Sequence, residues 1–103
     1  MRIRLYSALR KLKEQEIALL QEAAQLELTL RGEQLRDPTH PTRMRIRMLD
    51  ERLLQLLREQ RDIRQQQVSK YEFAAQSDGA LRLHKSSLEN CRRKIEELKR
   101  KLT

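Results

Sequence analysis

Hydrophobic residues recur in heptads along the first third of the chain and predict a long amphipathic helix. Apolar side chains occupy the first and fourth positions of successive heptads: Leu5, Leu9, Leu12, Leu19, Ala23, Leu26 and Leu30. A repeat of this kind is typical of a helix that packs along a narrow coiled-coil seam. Only Glu16 interrupts it. The pattern therefore predicts a helix over residues 2–36.

A second heptad pattern occupies residues 43–76 and predicts a second helix over that range. Its seam is apolar at first, with Ile46, Leu49, Leu53 and Leu56, and then alternates polar with apolar positions. In the polar half the seam positions are Gln60, Ile63, Gln67, Lys70 and Ala74. The second helix therefore offers less apolar cover as it proceeds.

Both prolines of the chain, Pro38 and Pro41, lie between these two runs. Proline lacks the amide hydrogen that a helix interior needs, so the spacing predicts a turn over residues 37–42. Asp37 or Thr39 is the expected cap of the second helix. A short connection makes neighbouring helices antiparallel, which predicts a helical hairpin.

The register of this hairpin follows from pairing the two seams around the turn. Leu26 then faces Leu53 and Leu30 faces Leu49, and the midpoint of each pair falls between Thr39 and His40. The same register places Leu19 opposite Gln60 and Glu16 opposite Ile63. Apolar surface is then left uncovered on the half of the hairpin far from the turn, together with a neighbouring stripe of Ile17, Leu20 and Ala24.

The last quarter of the chain predicts a third helix, over residues 80–102, after a turn at 77–79. Its seam positions are Leu81, His84, Leu88, Cys91, Ile95, Leu98 and Leu102. Two arrangements satisfy this pattern. The helix folds back on the hairpin to make a three-helix bundle, or residues 43–102 form one helix whose overhanging end pairs with another chain. Either arrangement is an all-α fold with residues 1–103 in a single domain.

Composition agrees with helices that touch along narrow seams. Hydrophobic residues make up 38% of the 103-residue chain, aromatic residues 3% and charged residues 37%. We expect no enzyme, cofactor or metal site, because His40, His84 and Cys91 stand alone and two glycines cannot build a phosphate loop. No apolar run reaches the length of a membrane span.

The net charge of +8 is concentrated toward the C-terminus, where residues 80–103 hold eight basic and three acidic residues. Such a segment attracts acidic proteins or nucleic acid, whereas many basic residues simply cover a solvated helix face. The candidate anion contacts are Arg43, Arg45, Arg47, Arg92, Arg93, Lys94, Lys99, Arg100 and Lys101.

These patterns favour a non-enzymatic coiled-coil interaction protein that acts as a structural subunit, adaptor or chaperone of a larger assembly. Its partners would be an acidic protein or a second copy of the chain. The seam residues expected to be covered by the third helix or by a partner are Leu9, Leu12, Leu19, Leu88, Ile95 and Leu98. The alternative is a basic coiled coil that binds nucleic acid without sequence specificity. A single cysteine and the lack of a secretory segment favour an intracellular, cytoplasmic location, with mitochondrial and nuclear locations left open.

Overall fold

The chain forms three long helices in a computed structural model, which describes residues 2–74 and 78–103 and the side chains of residues 5–73 and 79–103. Within these ranges the elements are α1 (Arg2–Leu28), a short 3₁₀ helix (Gly32–Leu35), α2 (Pro41–Ala74) and α3 (Asp78–Leu102). The predicted all-α hairpin with a third helix is confirmed. The molecule measures 55 × 23 × 17 Å. Its length is about that of α2 at 1.5 Å per residue.

Helix α2 is the centre of the fold, since α1 and α3 both pack along it. Contacts between side chains show that α1 runs antiparallel to α2, with Glu16 bonded to Gln60 and Glu22 to Arg45. Helix α3 also runs antiparallel to α2. The Tyr71 and His84 rings stack with centroids 4.6 Å apart, and the pair Asp50–Lys101 lies at the other end. The folded-back bundle is thus the arrangement observed, and α1 and α3 run parallel to each other.

Because α2 packs against two helices, it buries two seams and not the single one predicted. The buried residues of α2 include the predicted Ile46, Leu49, Leu53 and Leu56, but also Leu57 and Val68. The main apolar cluster joins Leu53 and Leu57 to Cys91, Ile95 and Leu98 of α3, with Leu19, Leu54 and Leu102 packed at its edge. The doublets Leu53-Leu54 and Leu56-Leu57 are the sequence signal for this second contact face.

The prediction that α1 extends to residue 36 is wrong, because the helix ends at Leu28. The amide of Thr29 bonds to the carbonyl of Leu26 at 3.1 Å, and its hydroxyl donates to the same oxygen at 2.7 Å. Gly32 follows with φ of +53°, in the left-handed region that side chains other than glycine rarely adopt. These local features end the helix before the prolines are reached. Leu30 is still buried, in the connection.

The turn predicted at residues 37–42 is shorter, because α2 already begins at Pro41. Its cap is His40, whose Nδ1 accepts a hydrogen bond from the Thr42 amide at 3.2 Å. Asp37, one of the two expected caps, instead closes the preceding turn by accepting bonds from the Thr39 amide and hydroxyl. Proline at the first helical position loses no bond that a helix would have made.

The turn predicted at 77–79 falls only partly on described residues. Ser77 lies outside them, whereas Asp78 and Gly79 belong to the first turn of α3, two residues ahead of the predicted start at residue 80. The predicted end of the second helix at residue 76 also lies outside the described residues, which follow α2 as far as Ala74.

Candidate functional site

Helices α1 and α3 leave an open trough between them, with α2 as its floor. The trough has an apolar part of about 320 Å³ that is lined by Leu20 of α1, by Leu53 and Leu57 of α2 and by Leu98 of α3. Its polar lining consists of Glu16, Lys94, Glu97 and Lys101. An apolar floor with charged walls is the form of groove that receives an amphipathic helix.

One face of α1 beside the trough is apolar and exposed to solvent. Ile17, Leu20 and Leu28 are 51%, 48% and 76% exposed. Together with Ala24 these residues recur every three or four positions, which places them on one face of the helix. We call this set the α1 stripe. Leu20 belongs to both the α1 stripe and the trough, so the two form one continuous apolar surface.

A buried carboxylate divides the trough into two parts. Glu16 is 4% exposed, and it accepts a hydrogen bond from the Gln60 amide at 2.9 Å and one from the Lys94 ammonium at 3.2 Å. The Lys13 ammonium lies 3.8 Å from the same carboxylate. Gln60 itself is 2% exposed. This polar bridge joins all three helices.

The electrostatics of the bridge keep Glu16 ionised. Burial alone raises the pKa of a carboxyl group, but the hydrogen bonds from Gln60 and Lys94 and the charges of Lys94 and Lys13 outweigh it. The pKa of Glu16 is therefore lowered. The prediction that Glu16 faces Ile63 is wrong, since its partner is Gln60, about one helical turn nearer the connection. A buried carboxylate needs a donor, and isoleucine has none.

The predicted protein-interaction residues divide between the interior and the margin of the bundle. Leu88, Ile95 and Leu98 are 4%, 4% and 8% exposed. Their cover is therefore α2 of the same chain, and of the three only Leu98 also lines the trough, with the small part of its surface that stays exposed. Leu19 packs at the edge of the apolar cluster, while Leu9 and Leu12 are half-buried. The trough and the α1 stripe are among the apolar surfaces that remain open to a partner.

The predicted anion contacts differ in whether they pair with carboxylates of the same chain. Arg43, Arg47 and Lys101 come together around a depression of about 100 Å³ where α2 begins and α3 ends. Most of the nine predicted residues pair with protein carboxylates: Arg45, Arg47, Arg92, Arg93, Lys94, Lys99 and Lys101. Arg43 and Arg100 have no such partner among the described side chains. The exposed pairs contribute only about 0–1 kcal/mol each, whereas Lys94 and Lys101 pair with the buried carboxylates of Glu16 and Asp50.

Two residues near the bridge, Arg64 and Cys91, have features that heptad spacing does not reveal. Arg64 of α2 is half-buried, and its Nε is buried without a hydrogen-bond partner in the described part of the chain. Cys91 is 3% exposed and its thiol donates to the Leu57 carbonyl at 3.2 Å. Burial raises the pKa of the Cys91 thiol, which therefore packs as a small hydrophobic group.

The chain matches no protein-family model, no curated protein and no solved structure at a significant level. Across residues 2–74 and 78–103, three or more His, Cys, Asp or Glu side chains nowhere gather as metal ligands would. None of the helices in those ranges combines the length and apolar character that crossing a bilayer requires.

Proposed function

We propose that this protein is a non-enzymatic adaptor that binds an amphipathic helix of an acidic partner protein in the trough between α1 and α3. The observation that carries the proposal is the exposed α1 stripe, which continues through Leu20 into the apolar part of the trough. A helix in this position would turn the three-helix fold into a four-helix bundle.

The shape of the surface favours a helix as the occupant. Helices α1 and α3 run parallel on either side of the trough, so a helix that lies over its apolar part contacts both of them. The apolar side chains of α1 follow helical spacing, which suits ridges-into-grooves packing against another helix. Ile17, Leu20 and Leu28 are each at least 48% exposed. Covering each of them is worth about 1 kcal/mol, roughly half the value of a full burial.

The charge of the chain favours an acidic partner over a second copy. At +8, two copies would bring like charges together, whereas an acidic helix is attracted. The α3 wall supplies much of this charge, because residues 92–101 contain six basic and two acidic residues. Complementary charge speeds association and fixes the orientation of the partner, and both effects weaken with salt.

The binding of an acidic helix in the trough is tested by a photo-crosslinking amino acid placed at position 20 in cells. The same amino acid at position 48 is the control. Met48 is an apolar residue of α2 that is 60% exposed and lies outside the trough lining. We expect position 20 to give one discrete adduct, mapped by mass spectrometry to an acidic amphipathic segment of a protein. Equal adducts at both positions, or adducts of position 20 only with a second copy of the chain or with nucleic acid, would contradict the proposal.

The crosslinked segment then serves as the probe for a substitution. Leu20→Asp should weaken its binding at least about tenfold, because it places a carboxylate in the apolar part of the trough and repels an acidic helix. Met48→Asp adds the same charge elsewhere and should change the Kd less than about twofold. Both variants should keep the circular dichroism of the unsubstituted chain. An equal loss of affinity in both variants would show that the added charge, and not the trough, is responsible.

The dependence on salt distinguishes nucleic-acid binding from the binding of a partner helix. A titration with a labelled DNA duplex should give weak binding, and Leu20→Asp should not affect it differently from Met48→Asp. If the chain instead bound the duplex tightly, with log affinity falling linearly against log salt at a slope of several phosphates, the alternative function would be favoured.

A further inference from the structure

The second part of the trough, on the other side of the Glu16 bridge, is polar and basic. This basin has a volume of about 160 Å³ and receives side chains from all three helices: Lys13, Gln60, Arg64, Ser87, Asn90 and Lys94. It differs from the apolar part of the trough in having mainly polar walls. The docking of a partner helix, proposed above, does not use it.

Positive charge exceeds negative charge in the basin. Lys13, Arg64 and Lys94 line it, and the neighbouring Glu16 carboxylate lies 3.8 Å from Lys13 and 3.2 Å from Lys94. One carboxylate therefore serves two ammonium groups, and Arg64 has no carboxylate partner among the described side chains. Arg61, which adds to the positive field at Cys91, is paired with Asp62 at 3.3 Å. Three cations thus face one anion in a depression partly shielded from water.

Arg64 has an unmet hydrogen-bond donor at this site. Its Nε is buried and donates no hydrogen bond within the described part of the chain. A buried donor without an acceptor costs about 1–3 kcal/mol, so native proteins rarely leave one unmet. An acceptor seated in the basin would meet it. Arg64 lines the basin, and arginine binds planar or tetrahedral oxyanions with two parallel hydrogen bonds.

We propose that the basin is a binding site for a small oxyanion, a phosphate or carboxylate group, held by Arg64, Lys13 and Lys94. Asn90 offers an amide group and Ser87 a hydroxyl group at the walls, so an anion with several oxygens finds donors from each helix beside the three cations. A cation is disfavoured here, because three positively charged side chains surround the one neighbouring carboxylate. The ligand would clamp α1, α2 and α3 together and stabilise the bundle.

Inorganic phosphate is the first probe, titrated into the full chain at constant ionic strength set with chloride. We expect saturable binding by calorimetry and, by NMR, selective shifts of the Arg64 Nε–Hε signal and the Asn90 side-chain amide. A rise in Tm of at least about 4 °C should accompany saturation. Acetate at the same ionic strength separates the two ligand sources: preference for phosphate assigns a phosphoryl group, and equal binding assigns any oxyanion, including a carboxylate side chain. Both results support the site.

The variants are Arg64→Gln and, as a control with the same change of charge, Arg58→Gln. Arg58 is exposed on α2 and lies outside the basin lining. Arg64→Gln should weaken phosphate binding at least tenfold, and Arg58→Gln less than twofold. Asn90→Ala, at an exposed position of α3, gives a second reading that does not depend on a half-buried residue, and we expect a loss of about threefold. The proposal is overturned if phosphate and chloride have the same effect, or if Arg64→Gln and Asn90→Ala both bind phosphate as the unsubstituted chain does.

Discussion

Leu56→Ala should lower the free energy of unfolding by about 3 kcal/mol, within the range of 2–5 kcal/mol for removing a buried leucine side chain. Leu56 is 1% exposed and lies on α2, the helix against which both others pack. A cavity there cannot be filled by movement of one outer helix without disturbing the other contact. Urea unfolding followed by circular dichroism at 222 nm measures the change.

The matched control is Leu83→Ala, the same substitution at a residue of α3 that is 71% exposed. Its expected effect is within about 0.5 kcal/mol, because no cavity forms and leucine and alanine are both good helix formers. If Leu83→Ala destabilised the chain as much as Leu56→Ala, the assignment of the interior to α2 would be wrong.

The second large effect is expected at the bridge, where Gln60→Leu should cost about 2 kcal/mol. The substitution removes the 2.9 Å hydrogen bond to Glu16 and leaves a buried carboxylate with less compensation. Glu16→Leu should cost a similar amount, since it leaves the buried Gln60 amide without an acceptor and Lys94 without its carboxylate partner. The double variant replaces both polar groups and should recover much of the loss. Strictly additive single effects would show that the two side chains do not interact.

The same variants test the ionisation of Glu16. Its pKa is lowered in the folded chain, so the stability it contributes is present above the ordinary pKa of a glutamate. That contribution is lost as the pH falls through the lowered pKa. The free energy of unfolding of the unsubstituted chain should therefore fall between pH 7 and pH 2, relative to that of the Glu16→Leu/Gln60→Leu double variant, which lacks the carboxylate. A pH-independent difference would mean that folding does not lower the pKa of Glu16.

The helices could be predicted from the sequence because each one buries a seam with a regular spacing. Leu88, Ile95 and Leu98 follow the heptad of α3, and all three are buried as such a seam requires. The end of α1 could not be placed by the same reasoning. It depends on the hydroxyl of Thr29 and the left-handed backbone of Gly32, two local features that heptad spacing does not register.

The candidate site was only partly predictable, for a different reason. Ile17 and Leu20 stood out as an extra apolar stripe, and both are exposed in the structure. Of the basin residues, Lys94 was predicted as an anion contact, whereas Arg64 lies outside the single seam assigned to α2. Arg64 is half-buried because α2 contacts two helices and not one. The partner of Glu16 also depends on which donor is within reach, and simple pairing of seams gave Ile63 in place of Gln60.

The distance between labels at positions 21 and 100 tests most directly whether α3 folds back beside α1, which both proposed sites require. Gln21 and Arg100 are exposed, so spin labels there should not disturb packing, in a chain whose buried Cys91 is replaced by alanine. Each outer helix lies about 8–10 Å from α2, so we expect the two helix axes to be at most about 20 Å apart and the label distance to be below about 30 Å. If α3 instead continued α2, about 45 helical residues would separate the two levels and the distance would be about 65 Å. A distribution centred there would contradict the trough, the basin and the functions proposed for them.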